Sequence, residues 1–319
     1  MEYRIRGRII KGVGGNYYVR PDGEEGERLL ACRARGKFRH AGITPLVGDN
    51  VILLGDRPFS EPTAEGEKSE IVLDEIVDRK SALIRPPLAN LDVLFVSMAS
   101  AFPSPILSTV DKLISIAEAN GIEPVIIVGK SDLDGESTEK LVTLYRNAGF
   151  TVFPLSAKNG EGLEAVTNYI KTNLTGKIAA FAGASGVGKS SLLARLFPER
   201  SIETGEISQK IERGKNTTRH VELFPYACEG GTGYIADTPG FSLLDFVRFD
   251  FFDKETLPST MREFRTHLGH CRFKKCTHTK EEGCAILHAV KEGEIAPSRH
   301  ASFLEMYDSL KDKRDWKKG

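Results

Sequence analysis

The order of apolar and polar positions divides the chain into three stretches. Up to about residue 75 the apolar segments are short and alternating. Residues 7–19 read as a hairpin with a glycine-rich turn, 29–35, 49–54 and 71–77 as further strands, and 59–69 as a polar loop. Five or so short strands in this length suggest a small barrel, of the OB-fold kind. The Arg-Pro-Pro-Leu run at 85–88 marks a linker. The pattern then changes. Strands at 93–98, 125–128, 151–153 and 178–182 alternate with helices at 106–119, 137–148 and 163–170. Such alternation predicts a parallel sheet with helices on both faces. Two more strands, 220–224 and 234–236, follow. From about Leu243 the periodicity weakens and cysteine, histidine and basic residues become dense, which predicts a small third domain ending in a helix near 300–311. The expected boundaries are 1–80, 81–242 and 243–319.

Charge narrows the partners. The 319 residues carry 44 Lys and Arg against 44 Asp and Glu, so a nucleic acid would have to be met by local patches. No run approaches a membrane span, and the N-terminus lacks an apolar signal segment. A cytoplasmic protein without membrane contact is expected, with a monomer as the default. Five cysteines in a reducing compartment point to metal or free thiols.

The chemistry is densest at 183–191. Gly183, Ala184, Ser185, Gly186, Val187, Gly188, Lys189 and Ser190 read G-x-x-x-x-G-K-S, between a strand and a helix start that runs on through Ser191. A glycine-rich turn could match by chance, but both flanks agree with the phosphate-loop reading. Backbone N–H groups and the helix N-terminus would cradle phosphates. Lys189 would reach the β- and γ-phosphates, and Ser190 would ligate Mg²⁺. Asp237-Thr-Pro-Gly240 follows a strand about fifty residues later and matches a D-x-x-G element. Between them Thr218, with Thr217 as the alternative, would reach Mg²⁺ and the γ-phosphate. Guanine selection would fall to Lys130, Ser131 and Asp132, the carboxylate of Asp132 accepting from N1–H and the 2-amino group. The amide of Ala157, within Ser156-Ala157-Lys158, would meet guanine O6. The base-reading elements precede the phosphate loop, so the usual order is permuted to fourth, fifth, first, second, third. The groups expected to act on the reaction are Lys189, Thr218 and Asn216.

Cys271, Cys276, His278 and Cys284 form a complete Cys₃His set, which predicts one structural Zn²⁺; free thiols beside a surface histidine are the alternative. His267, His270 and His288 are expected outside the ligand set. Arg33, Arg35, Lys37 and Arg39 alternate, so a continuous strand would line them on one face, either as an RNA-binding surface or as a solvated one. Arg262, Arg265, Arg272, Lys274 and Lys275 add basic charge near the cysteines, with the balancing acids expected mainly elsewhere, and basic outer domains on a neutral chain fit a large RNA partner reached by phosphate contacts.

Together the phosphate loop, the Thr217-Thr218 pair, Asp237–Gly240 and C-x₄-C-x-H-x₅-C over nearly the whole chain resemble the RsgA (YjeQ/YloQ) family. The resemblance implies an α/β P-loop GTPase domain, circularly permuted, with an N-terminal OB-fold barrel and a small α-helical zinc-binding domain. It also implies GTP hydrolysis to GDP, stimulated by the small (30S) ribosomal subunit, in a late-stage maturation factor that binds its rRNA. Two departures stand out. Gly129 occupies the position where members carry Asn or Thr, so a side chain that would touch guanine N7 and brace the phosphate loop is missing. Asn216 stands where members commonly carry histidine, and Phe241 where many GTPases carry a water-orienting glutamine. Slow intrinsic hydrolysis is therefore expected, and a nucleotide-gated rRNA-binding module with negligible catalysis is the second reading.

Overall fold

In the computed structural model, alternation along the first strands closes a barrel. β1 (Tyr3–Val13) pairs with β2 (Asn16–Pro21), and β2 with β3 (Leu30–Ala34). β3 runs parallel to β5 (Val72–Ile76), β5 antiparallel to β4 (Asn50–Gly55), and β4 returns to β1. Every strand has two neighbours, so no edge is left open. Ile9, Val19, Leu30, Cys32, Val51, Leu53 and Leu73 fill the interior. The structure describes residues 3–23, 28–56, 59, 71–83, 87–198, 221–237 and 253–311.

The expected continuous basic strand is corrected here. β3 ends at Ala34, and Gly36–His40 is a short helix, α1. The chain turns because α1 buries Phe38 (7% exposed) and presents Lys37 and Arg39 outward. Arg33 stays on the strand, where its Nε donates to Asn16 Oδ1 (3.1 Å). Arg35 and Lys37 both reach the Asp74 carboxylate, at 2.7 and 2.9 Å. The Lys37 hydrogen bond, with help from Arg35, holds Asp74 below the usual carboxylate range.

By their packing the described residues form two units, the first within 1–92, 171–180 and 215–239 and the second within 93–170, 181–214 and 240–319. In the first unit a short hairpin, β6 (Ala82–Leu83) with β7 (Leu88–Ala89), flanks the expected linker. β12 (Glu222–Cys228) and β13 (Gly231–Asp237) make an antiparallel hairpin, since so short a connection cannot carry a parallel crossover. β13 also runs parallel to the start of β11 (Ile178–Gly183).

In the second unit β8 (Leu91–Ala99), β9 (Glu123–Gly129) and β10 (Thr151–Leu155) are parallel, in register Val93↔Glu123 and Thr151↔Val125. β9 is buried from Pro124 to Gly129, the signature of a strand covered on both faces. Helices α2 (Leu107–Ala119), α3 (Gly135–Asn147), α4 (Leu163–Asn173) and α5 (Lys189–Leu196) connect or follow the strands. Asp134 caps α3 by accepting from Ser137 N–H at 2.8 Å.

The C-terminal residues belong to this second unit. α6 (Leu257–Thr260), a 3₁₀ turn (Arg262–Phe264), α7 (Ala285–Lys291) and α8 (Pro297–Lys311) share one core, built on Leu257, Met261, Phe264, Ile286, Phe303 and Met306 against Ile116 of α2. Charge fixes the join. Arg299, 1% exposed, pairs with Asp111 of α2 and, at 2.6 Å, with Glu263. Tyr145 of α3 donates its hydroxyl to Asp111 Oδ1 (2.9 Å). Burial pushes the Asp111 carboxyl up, with Arg299 pulling against it. Burial likewise works against the Arg299 charge, but Asp111 and Glu263 outweigh it and hold the guanidinium above its ordinary value. Arg262 Nε reaches Glu118 (2.8 Å) and its Nη2 reaches Glu123 (3.0 Å), while Arg265 reaches Glu118 (2.5 Å). The acids balancing Arg262 and Arg265 are therefore their direct partners, contrary to the sequence expectation.

Candidate functional site

The phosphate-loop residues leave β11 and enter α5. Gly183 has φ 148°, and a Cβ there would stand 2.2 Å from Ser97 O on β8, so the backbone needs glycine. Gly188, at φ 100°, is the residue before α5. Ser190 and Ser191 lie in its first turn, Ser191 toward the cavity described below. The Lys189 ammonium bends back across the loop and donates to Gly183 O (2.6 Å) and Ala184 O (2.7 Å). Burial draws its pKa below the usual lysine value. A short glycine-rich loop that enters a helix N-terminus with an ammonium folded over it suits an anion.

The loop after β9 lies on the same side. Lys130 has φ 59°; its carbonyl accepts from Ser100 Oγ (2.8 Å) and its ammonium donates to Phe102 O. Asp132 is exposed, and its Oδ1 accepts from Ser156 Oγ at 2.6 Å. That hydroxyl holds the carboxyl below the usual carboxylate range, so it stays an ionised acceptor at neutral pH. Ser131 N donates to Leu155 O (3.1 Å), and Arg195 of α5 donates to Lys158 O (3.2 Å). Hydrogen bonds thus tie the 130–132 loop to the 156–158 loop, and the latter to α5.

A cavity of about 370 Å³ opens where they meet. Ser97, Gly129, Lys130, Asp132, Leu133, Ala157, Lys158, Val187, Gly188, Lys189 and Ser191 are among its lining residues. Its volume falls in the range of small-molecule sites. Ser97 Oγ, in the lining, is buried without a hydrogen-bond partner among the described residues, so a polar occupant fits. A larger cavity, about 610 Å³, lies between α3 and the C-terminal helices, but Glu136, Glu139, Glu263 and Glu294 line it. Lys140 and Arg299 also line it but are spent on Glu136 and Glu263, which leaves Glu139 and Glu294 in excess, so a phosphate is disfavoured there and the smaller cavity is the candidate.

Gly129 ends β9 beneath this cavity. A Cβ there would meet Val187 O at 3.3 Å and Met98 O at 3.4 Å. Position 129, the first of the segment expected to read the base, therefore faces Val187 of the glycine-rich loop directly. Asp237 ends β13. Asn216, Thr217, Thr218, Gly240 and Phe241 lie outside the described residues.

The cysteine cluster is the second centre. Cys271 Sγ and Cys284 Sγ each stand 3.5 Å from His278 Nδ1, and the two sulfurs are 4.0 Å apart. With Cys276 the four ligand atoms lie within 4.8 Å of one another. A tetrahedral zinc with bonds of about 2.3 Å to sulfur and 2.0 Å to nitrogen needs S···N near ~3.5 Å and S···S near ~3.8 Å. The cluster fits zinc. Burial pushes the Cys276 thiol up to about 12, and only a cation would draw such protons off at neutral pH. Ala285 N donates to Cys271 Sγ (3.4 Å), and His300 Nε2 bonds His278 O (2.8 Å), which fixes the ligands from behind. His267, His270 and His288 line a neighbouring cavity, and His267 pairs with Glu294 (3.4 Å). Sequence reasoning missed Arg299, Asp111 and Tyr145. No spacing signalled them, because the partners of Arg299 lie up to 188 residues away.

A family model described as the RsgA GTPase matches residues 76–247, and one described as the RsgA N-terminal domain matches 6–56. A small ribosomal subunit biogenesis GTPase RsgA from Caldanaerobacter subterraneus subsp. tengcongensis is 41% identical over 311 residues, 97% of each chain. The protein of that name from Bacillus subtilis is 38% identical over 313 residues, 97% of this chain and 98% of its own. The crystal structure of YloQ, described as a circularly permuted GTPase, superposes with a TM-score of 0.75 at 33% identity, covering 98% of this chain and 96% of its own. YjeQ from Thermotoga maritima gives a TM-score of 0.77 at 30% identity, covering 98% and 100%.

Proposed function

The chain belongs to the RsgA family of circularly permuted GTPases, and we propose that it acts as a late-stage assembly factor of the small ribosomal subunit, binding rRNA and stimulated by the subunit. GTP hydrolysis is the family's activity. The relatives' names supply the assembly context. One observation carries the site assignment: the Lys130–Asp132 and Ser156–Lys158 loops share one cavity with the phosphate loop, although they precede it in the chain.

In this reading the amides of Gly183–Ser191 and the Lys189 ammonium hold the phosphates of GTP or GDP. Asp132 reads guanine, and Ala157 meets O6. Ser190, Thr218 and Asp237 serve Mg²⁺, which supplies charge neutralisation at the phosphates when bound. Gly240 senses the γ-phosphate, and Asn216 is the remaining candidate to orient water. One zinc staples Cys271, Cys276, His278 and Cys284. The organisation proposed is 1–80 for the barrel, 81–242 for the GTPase domain and 243–319 for the zinc-binding domain. Arg33, Arg35, Lys37 and Arg39 are kept as an RNA surface, with Arg35 and Lys37 sharing their charge with Asp74. Among the described residues no helix is long and apolar enough to cross a membrane. A role in small-subunit assembly would place the chain in the cytoplasm, and a monomer is the state proposed.

The test is phosphate release from GTP with purified small subunits present and absent. Subunits should raise turnover, and Lys189→Ala should abolish it with circular dichroism unchanged. Stimulated hydrolysis retained by Lys189→Ala would reject the site. Absence of stimulation in the unmodified protein would favour the nucleotide-gated rRNA-binding module.

A further inference from the structure

We propose that the loop between the first two cysteines of the cluster is a base-stacking finger for single-stranded RNA, with Phe273 as the platform and Arg272, Lys274 and Lys275 as phosphate contacts. The choice of RNA rests on the assembly role proposed above; the finger itself rests on the geometry.

Phe273 is 50% exposed, whereas Phe264 and Phe303 of the same segment are fully buried. The segment has a formed apolar core, so an outward phenylalanine is not the result of having nowhere to pack. Its neighbours Arg272, Lys274 and Lys275 are all exposed. The Arg272 guanidinium carbon stands 5.5 Å from the Phe273 ring centroid, a cation–π arrangement that leaves part of the ring open.

The root of the loop is fixed at both ends. Cys271 and Cys276 belong to the Cys₃His cluster. Arg272 N donates to Gly283 O (3.0 Å), and a Cβ on Gly283 would stand 2.9 Å from Arg272 Cβ, so the loop is packed against the segment that leads into Cys284. A platform held this way loses little freedom on binding.

The charge is available. Among the described residues Arg272, Lys274 and Lys275 make no ion pair, in contrast to Arg262 and Arg265, which are engaged by Glu118 and Glu123. The acid nearest in the chain, Glu281, turns its carboxylate to backbone amides, Thr277 N (2.8 Å) and Thr279 N (3.1 Å). An exposed ring flanked by three cations matches an unstacked base between phosphates. A base pair within an A-form duplex offers no such face.

The experiment uses the full zinc-loaded chain and a short fluorescein-labelled oligouridylate, with a blunt RNA duplex of equal length as competitor. Phe273→Ala should weaken oligouridylate binding about 5- to 150-fold, the range one base–aromatic stack supplies, with the salt dependence unchanged. Phe273→Trp should restore it. Replacing Lys274 and Lys275 by Ala should flatten the slope of log affinity against log salt by about 0.7 for each phosphate no longer neutralised. Equal binding by Phe273→Ala and the unmodified protein would overturn the finger. So would duplex competing as well as single strand, or a loss of subunit binding by Phe273→Ala without any loss of oligouridylate affinity, which would indicate a protein contact. Subunit-stimulated GTP turnover is a separate readout, and its absence would count against the assembly role alone.

Discussion

Gly129→Asn tests how the end of β9 and the glycine-rich loop at Val187 support each other. β9 delivers Gly129 with ordinary backbone angles, so no left-handed conformation forbids a side chain. Two effects then compete. A Cβ would approach Val187 O to 3.3 Å, which asks the phosphate loop to give by a few tenths of an ångström. Against that, an Asn amide starting from this point can donate to the loop carbonyl and reach toward guanine N7. One such hydrogen bond contributes about 0.5–1.5 kcal/mol. Gly129→Ala carries the steric cost and no hydrogen bond, so the difference between the two variants isolates the bond. Asn should bind GDP about 2- to 12-fold more tightly than Ala, since ~1.4 kcal/mol is a factor of ten.

The assay is titration of a fluorescent GDP analogue, with thermal melting of both variants in parallel. Both should melt slightly higher than the unmodified protein if the loop yields, because replacing glycine at a compatible position restricts the unfolded chain by about 0.4–1 kcal/mol. Equal GDP affinity for Ala and Asn would refute the argument, since it would mean that position 129 does not face the loop in the bound protein. Lower melting points for both would assign the sign to the Val187 approach instead.

Two further outcomes follow from the second unit. Thiol modification of the native chain should release about one zinc, measured with a colorimetric chelator, and should loosen residues 253–311 to proteolysis before the barrel; release of no metal would reject the Cys₃His assignment. Arg299→Met should cost about 3–5 kcal/mol of stability at neutral pH, because it strands buried Asp111 and Glu263. Asp111 already has its folded pKa raised by burial, and without Arg299 it should rise further. A raised carboxyl favours the fold below the unfolded value, about 3.9, and loses that contribution as pH climbs through the folded value. The deficit of Arg299→Met should therefore shrink from pH 7.5 to 5 in thermal melts; a constant deficit would show that Asp111 does not take up the proton.

What was legible in the sequence is what the backbone itself encodes. The glycines of 183–188 specify a turn, and β11 and α5 fall within one residue of the segments read around them. Apolar runs such as 125–128 mark strands covered on both sides. The basic alternation through Arg39 misled because period two is a strand signal only while the backbone stays extended. Phe38 had a core position to fill, and α1 fills it at the cost of that alternation. Likewise Arg262 and Arg265 look like free cations in the sequence, because Glu118 and Glu123 lie more than a hundred residues earlier. Pairing at that separation leaves no local trace.

That hidden pairing changes how the second unit works as an object. α3 begins at Gly135, just beyond Asp132, with Asp134 capping it. Thirteen residues span about 20 Å, and near the far end Tyr145 donates to Asp111, the partner of Arg299 in α8. The helix is thus capped locally at its start by Asp134 and tied near its end to Asp111. Cutting Tyr145 to Phe removes one hydroxyl while keeping the ring, so the loss in thermal stability reads what that one bond contributes to the join between α3 and the C-terminal core, about 0.5–1.5 kcal/mol with the acceptor still paired to Arg299.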